Sequence, residues 1–137
     1  MGFSAILNRL MPTSGDWKEV AKLPATRLTE KKCVDFLNRR YFTYIESNGD
    51  TTNLEITSEY WIDRFKDGTF SKLYFKWTGP CEFEISFIES NHSIRSRMSR
   101  PGDKYFYRIL DRKDNYYDIG VFIPGSNRSL LFKLYFK

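Results

Sequence analysis

The sequence predicts a mainly β protein: an antiparallel up-and-down meander of eight or nine strands, closed into a barrel or wrapped as a strongly curved sheet, preceded by two or three short N-terminal helices. Three observations predict it. From Tyr41 onward apolar residues recur with a period of two, whereas in the first forty residues they recur at helical spacing. Turn signals punctuate the second region at Asn48-Gly49, Asp67-Gly68, Gly79-Pro80, Ser90-Asn91, Pro101-Gly102, Asp114-Asn115 and Pro124-Gly125. Aromatic residues make up 18% of the chain, and 21 of the 24 lie from Tyr41 onward, enough apolar surface to fill one shared interior.

The N-terminal elements come first. Phe3, Ile6, Leu7, Leu10 and Met11 line one face of a helix that Pro12 and Gly15 stop. Asp16 followed by Glu19 reads as a capping box for a short helix carrying Trp17 and Val20. Thr29 caps a third helix whose buried stripe is Cys33, Phe36 and Leu37, with Arg39 and Arg40 near its C-terminal end, where the dipole favours cations.

Strands are then expected at 41–47, 51–57, 60–66, 70–77, 81–88, 92–98, 104–111, 116–123 and 128–136. No helix fits between them, so parallel crossovers are excluded. One hairpin register follows from its side chains. With Thr78-Gly79-Pro80 as the loop, Trp77 faces Cys81, Phe75 faces Phe83 and Leu73 faces Ile85, while Lys76 meets Glu82 on the other face. Long open edges would aggregate, which favours closure. Phe75, Trp77, Phe83, Phe87 and Phe132 are the candidate barrel interior, and their bulk points to a filled one.

The 137 residues make one domain, a helical segment over 1–40 and the meander over 41–137. Net charge is +4 over residues 1–40, −5 over 41–90 and +6 over 91–137, a segregation that suits an oppositely charged partner. No run of 18 apolar residues exists to span a membrane as a helix. Met1 to Met11 shows neither signal-peptide features nor a lipidation cysteine, so a cytoplasmic chain with free thiols at Cys33 and Cys81 is expected.

Chemistry-bearing motifs are few. The single histidine, His92, sits in a turn between Asn91 and Ser93, and Glu82 and Glu84 have lysine neighbours that make them a surface ladder. Two cysteines 48 positions apart form no zinc pattern. No catalytic, cofactor or metal residues are assigned, and no cofactor is expected. A candidate surface for a protein or for single-stranded nucleic acid consists of Arg95, Arg97, Arg100, Lys104 and Arg108, interleaved with Tyr105, Phe106 and Tyr107 across residues 92–113.

Two segments carry a resemblance. Cys33-Val34-Asp35-Phe36 ahead of Tyr41-Phe42-Thr43-Tyr44, and the block from Ser71 to Phe83 with Trp77-Thr78-Gly79-Pro80-Cys81-Glu82, resemble small lipocalin-like bacterial proteins, mostly lipoproteins of unassigned function. The resemblance covers residues 33 to 110. It implies a lipocalin-like barrel and supplies no functional residue. The function expected is therefore that of a non-enzymatic binding protein. Its target would be a protein partner, as for a toxin-neutralising immunity protein, or a small apolar ligand. Single-stranded nucleic acid is the alternative.

Overall fold

The described residues form nine strands, β1 (Lys18–Val20), β2 (Tyr41–Ile45), β3 (Thr51–Ile56), β4 (Tyr60–Arg64), β5 (Phe70–Gly79), β6 (Glu82–Ser90), β7 (Lys104–Arg112), β8 (Tyr116–Phe122) and β9 (Ser129–Tyr135). Two short helices accompany them, α1 (Glu30–Val34) and α2 (Arg95–Met98). The structure, a computed structural model, describes residues 14–125 and 128–137; the helix expected over Phe3 to Met11 lies outside them. Strands β2 to β9 pair in chain order, every neighbour antiparallel, and β9 pairs both β8 and β2, so eight strands close into a barrel with β1 as an extra strand.

Closure is unequal around the barrel. Strand β8 runs alongside all of β9, whereas β2 meets it at one pair, Thr43 with Tyr135. Strand β1 occupies the rest of that edge, pairing Lys18 with Leu131 and Val20 with Ser129. Trp17 fills the seam. Its indole N–H donates to the Ile45 carbonyl at 2.7 Å and its ring stacks on Phe132 with centroids 4.5 Å apart. This replaces the helix expected over Asp16–Val20: a free sheet edge offers backbone partners that a three-residue capping pattern cannot outweigh. Asp16 instead accepts from the Tyr135 hydroxyl.

The segment expected as a strand over 92–98 is also corrected; it contains α2. The His92 Nδ1 accepts from the backbone N–H groups of Ile94 and Arg95, both at 3.2 Å, and Ser96 N–H donates to the His92 carbonyl. A side chain that caps the first turn favours helix over ladder. Ile94 and Met98 satisfy either period, and Met98 is the buried one.

The β5–β6 hairpin keeps the expected faces but shifts register by two residues. Trp77 pairs Phe83, Phe75 pairs Ile85, Leu73 pairs Phe87 and Lys76 pairs Glu84. The turn is tighter than expected, with Gly79 opposite Glu82 and Cys81 at φ 63°, a left-handed conformation unusual for a residue other than glycine. Phe75, Phe83, Phe87 and Phe132 are buried in the core; Trp77 is only partly buried and packs against it.

Cys81 is held from outside the hairpin. It forms a disulfide with Cys33 on α1, so the expectation of free thiols is overturned. The separation of 48 residues hid this pairing, because α1 returns to the barrel only through tertiary packing. Thr29 caps α1 by accepting from Lys32 N–H, as expected. In the following 3₁₀ turn Phe36 is buried, stacking on Phe42 and Phe83, but Leu37 is exposed. The bridge and Phe36 together seal the end of the barrel where β2 begins and β5 ends.

Closing a loop of this length removes up to about 4 kcal/mol of unfolded-state entropy. The Cys33→Ser/Cys81→Ser double variant is expected to lose about 2–4 kcal/mol of unfolding free energy in denaturant titrations, and a reducing agent should produce the same loss in the native protein.

Candidate functional site

Two regions carry more chemistry than folding requires. One lies inside the barrel at the end opposite the disulfide, where β2 and β4 finish, β5 and β7 begin, and α2 crosses the mouth. A cavity of about 60 Å³ remains there, lined by the rings of Trp17, Tyr44, Trp61, Tyr107 and Phe132 together with the polar side chains of Asp63, Ser71, Arg95 and Ser99. That volume is well below the roughly 300 Å³ a drug-sized ligand needs, so the interior as built has no room for one.

The polar groups at this end of the barrel are organised around two carboxylates, of which Asp63 lines the cavity. Glu46 pairs with the Arg95 guanidinium at 2.7 Å, both side chains largely buried, and also accepts from the Thr52 hydroxyl. Asp63 accepts from the Tyr44 hydroxyl at 2.9 Å, and Trp61 lies beside it on the same strand face. Strand alternation explains the placement: Trp61 and Asp63 both point inward on β4. Burial pushes the Asp63 carboxyl up to about 6, with Glu46 adding to the rise and Arg95, Tyr44 and Trp61 opposing it. Burial likewise raises the hydroxyls of Tyr44, Tyr105 and Tyr107. Tyr105 and Ser99 share a hydrogen bond of 2.6 Å that ties the end of α2's loop to β7.

The second region is the outer face of β4 to β8. Tyr60 stacks on Tyr74 with centroids 5.8 Å apart, and the Lys72 ammonium lies 4.1 Å above the Tyr60 ring. Across the strands Tyr74 is followed by Ser86 and Lys104, and the next row runs Lys76, Glu84, Phe106, Phe122. Tyr74 is 55% exposed, Phe122 43% and Phe106 38%. Beside this row, on the same outer face, Leu23 lies across β8. A methyl group on Gly120 would meet the Leu23 Cδ2 at 2.6 Å, so Gly120 admits this crossing segment rather than marking the bulge, which is in β7.

The basic cluster read from the sequence divides. Arg95 turns into the barrel end. Arg97 and Arg100 are exposed around α2, and Lys104 and Arg108 stand on the outer face of β7. Lys104 lies 3.8 Å from Glu84, and Arg108 bonds Glu82 at 2.9 Å and the Pro24 carbonyl at 2.9 Å. The charge segregation along the chain thus becomes pairing between neighbouring elements: acidic 41–90 meets basic 91–137 at Glu46–Arg95, Glu84–Lys104 and Glu82–Arg108. Sequence reasoning missed Asp63, Glu46 and Tyr44. The available signal was a charged residue at an inward position, Asp63, two after Trp61.

His92 serves as a cap, its Nε2 lying 3.8 Å from Asp67. Among the described residues no three His, Cys, Asp or Glu side chains converge to hold a metal ion, and no helix is long and apolar enough to cross a membrane. No protein-family model, curated protein or solved structure matches the chain.

The Asp63 carboxyl titrates higher in the folded than in the unfolded protein, so the folded state binds the extra proton. Its contribution to stability is complete below about pH 4 and is lost as pH rises through about 6. Asp63→Asn is therefore expected to raise unfolding free energy near neutral pH by about 1–3 kcal/mol and to flatten its decline between about pH 4 and 7. A variant that keeps the native pH slope would contradict the assignment.

Proposed function

We propose that this protein is a non-enzymatic, lipocalin-like binding barrel that recognises a protein partner through the outer face of β4 to β8. The observation that carries the reading is the exposed aromatic rows, Tyr60 with Tyr74 and Phe106 with Phe122, set among Lys72, Lys76, Lys104 and Arg108. Protein interfaces concentrate aromatic and cationic side chains of this kind, because rigid rings bury much area at little entropic cost. Glu82, Glu84, Glu89 and Asp118 stand among the four cations, Glu89 opposite Lys72, so the face is mixed in charge and the aromatic rows carry the recognition. An immunity protein acting on a toxin is one instance of such recognition.

What supports the lipocalin-like reading is the closed eight-strand up-and-down barrel. The Cys33–Cys81 bridge favours an oxidising compartment over the cytoplasm, since disulfides persist where thiols are not kept reduced. Interior binding of a drug-sized apolar ligand has no support in a cavity of about 60 Å³.

Tyr74→Ala/Phe106→Asp changes only exposed side chains and is expected to leave the fold intact. In quantitative affinity capture from the native host, a partner held by the wild type should be lost at least about tenfold by this variant and retained by Arg112→Ala, which lies away from the face. Equal capture by both variants, no captured protein, or capture of single-stranded nucleic acid that falls away between about 50 and 200 mM salt would overturn the reading.

A further inference from the structure

We propose that the cavity beneath α2 is a second, separate binding site, which takes a small protonated amine of the ammonium or methylammonium class. The inference rests on interior residues and is independent of the outer-face reading.

Charge balance comes first. Arg95 and Glu46 form an ion pair at 2.7 Å and neutralise each other. Asp63 lines the cavity, is 6% exposed and makes no ion pair among the described residues; the donor to its carboxyl is the neutral Tyr44 hydroxyl. A carboxylate buried beside a guanidinium that another carboxylate already neutralises keeps much of its desolvation cost unless it takes up a proton or a positive ligand. The groups facing it are Tyr44 from β2, Glu46 from the turn after β2, Trp61 from β4, Arg95 from α2 and Tyr107 from β7. With all ionisable members charged, the set holds two carboxylates and one guanidinium, a deficit of one positive charge.

The aromatic lining of the cavity points the same way. Trp61 and Tyr107 have centroids 5.3 Å apart, Tyr107 and Phe132 6.2 Å, Phe132 and Tyr44 5.9 Å, and Tyr44 and Trp17 6.4 Å. Rings so placed around the cavity attract a cation wherever one of their faces meets it, and offer no donor positively charged enough to hold an anion. Size sets the class: 60 Å³ is about two liquid-water volumes, room for an ammonium with one methyl group and too little for a quaternary ammonium. Bound there, the amine would stand where the proton on Asp63 otherwise does, its N–H groups donating to the carboxylate and its methyl against the rings. The proton is therefore its competitor.

The test is a titration of the full chain with methylammonium chloride at about pH 7.5, against sodium chloride of equal ionic strength, followed by amide and indole NMR shifts. Saturable shifts centred on Trp61 and Tyr107 are expected, weakening at least about tenfold in Asp63→Asn and in the wild type at about pH 5. Tyr107→Phe keeps the carboxylate and is expected to retain binding within about threefold. If Asp63→Asn does not fold, the wild-type pH dependence decides. The proposal is overturned by a response that does not saturate by about 50 mM, by affinity unchanged in Asp63→Asn or at low pH, or by saturable binding of acetate or tetramethylammonium instead.

Discussion

Closure of the meander at β9 is the constraint on which the rest of the structure depends. A curved eight-strand sheet with open edges would leave two rows of unpaired backbone groups and would wet the aromatic interior. Strand β9 prevents this by serving three neighbours: β8 along its whole length, β2 at Thr43–Tyr135, and β1 along the remaining edge. The single β2–β9 pair is too little to hold the seam. Trp17 completes it with one hydrogen bond to β2 and one stacked contact with Phe132 on β9, so a side chain does what the ladder leaves undone.

Closure also gives the barrel two unlike ends. At one, Cys33–Cys81 joins α1 covalently to the β5–β6 turn, and Phe36 packs among Phe42, Phe83 and Tyr117. The other is closed by α2 through polar contacts: Arg95 with Glu46, and Ser99 with Tyr105. Apolar packing fills the first end, whereas buried hydrogen bonds with directional geometry leave a small cavity at the second. The asymmetry is costly for stability, since burial works against the Asp63 charge, and polar groups kept inside a barrel against that cost mark a place where a ligand would offset it.

Alternation along the strands made eight of the nine expected strands legible, and with them the inward placement of Phe75, Phe83, Phe87 and Phe132. It failed at 92–98, where a histidine side chain bonding backbone two and three residues on outweighs a two-residue pattern that Ile94 and Met98 meet equally well as a helix. It failed again at Trp17, whose partners Ile45 and Phe132 are remote in sequence. The candidate basic surface was legible as composition only. Arg95 and Arg108 are near in the chain, yet one turns into the barrel end and the other stands on its outer wall.

By itself, then, the sequence determined the class and order of the strands, because alternation and turn residues act over a few neighbours and need no partner to be read. It also determined that Phe75, Phe83, Phe87 and Phe132 face the interior. Only the tertiary structure decided which cysteines meet, where the seam closes, and which charges lose water. Those depend on segments 28 to 119 residues apart arriving at one place. Burial of Asp63, Glu46 and Arg95 belongs to that second group: each is an ordinary charged residue until the barrel closes around it, and its chemistry comes from the water it has lost.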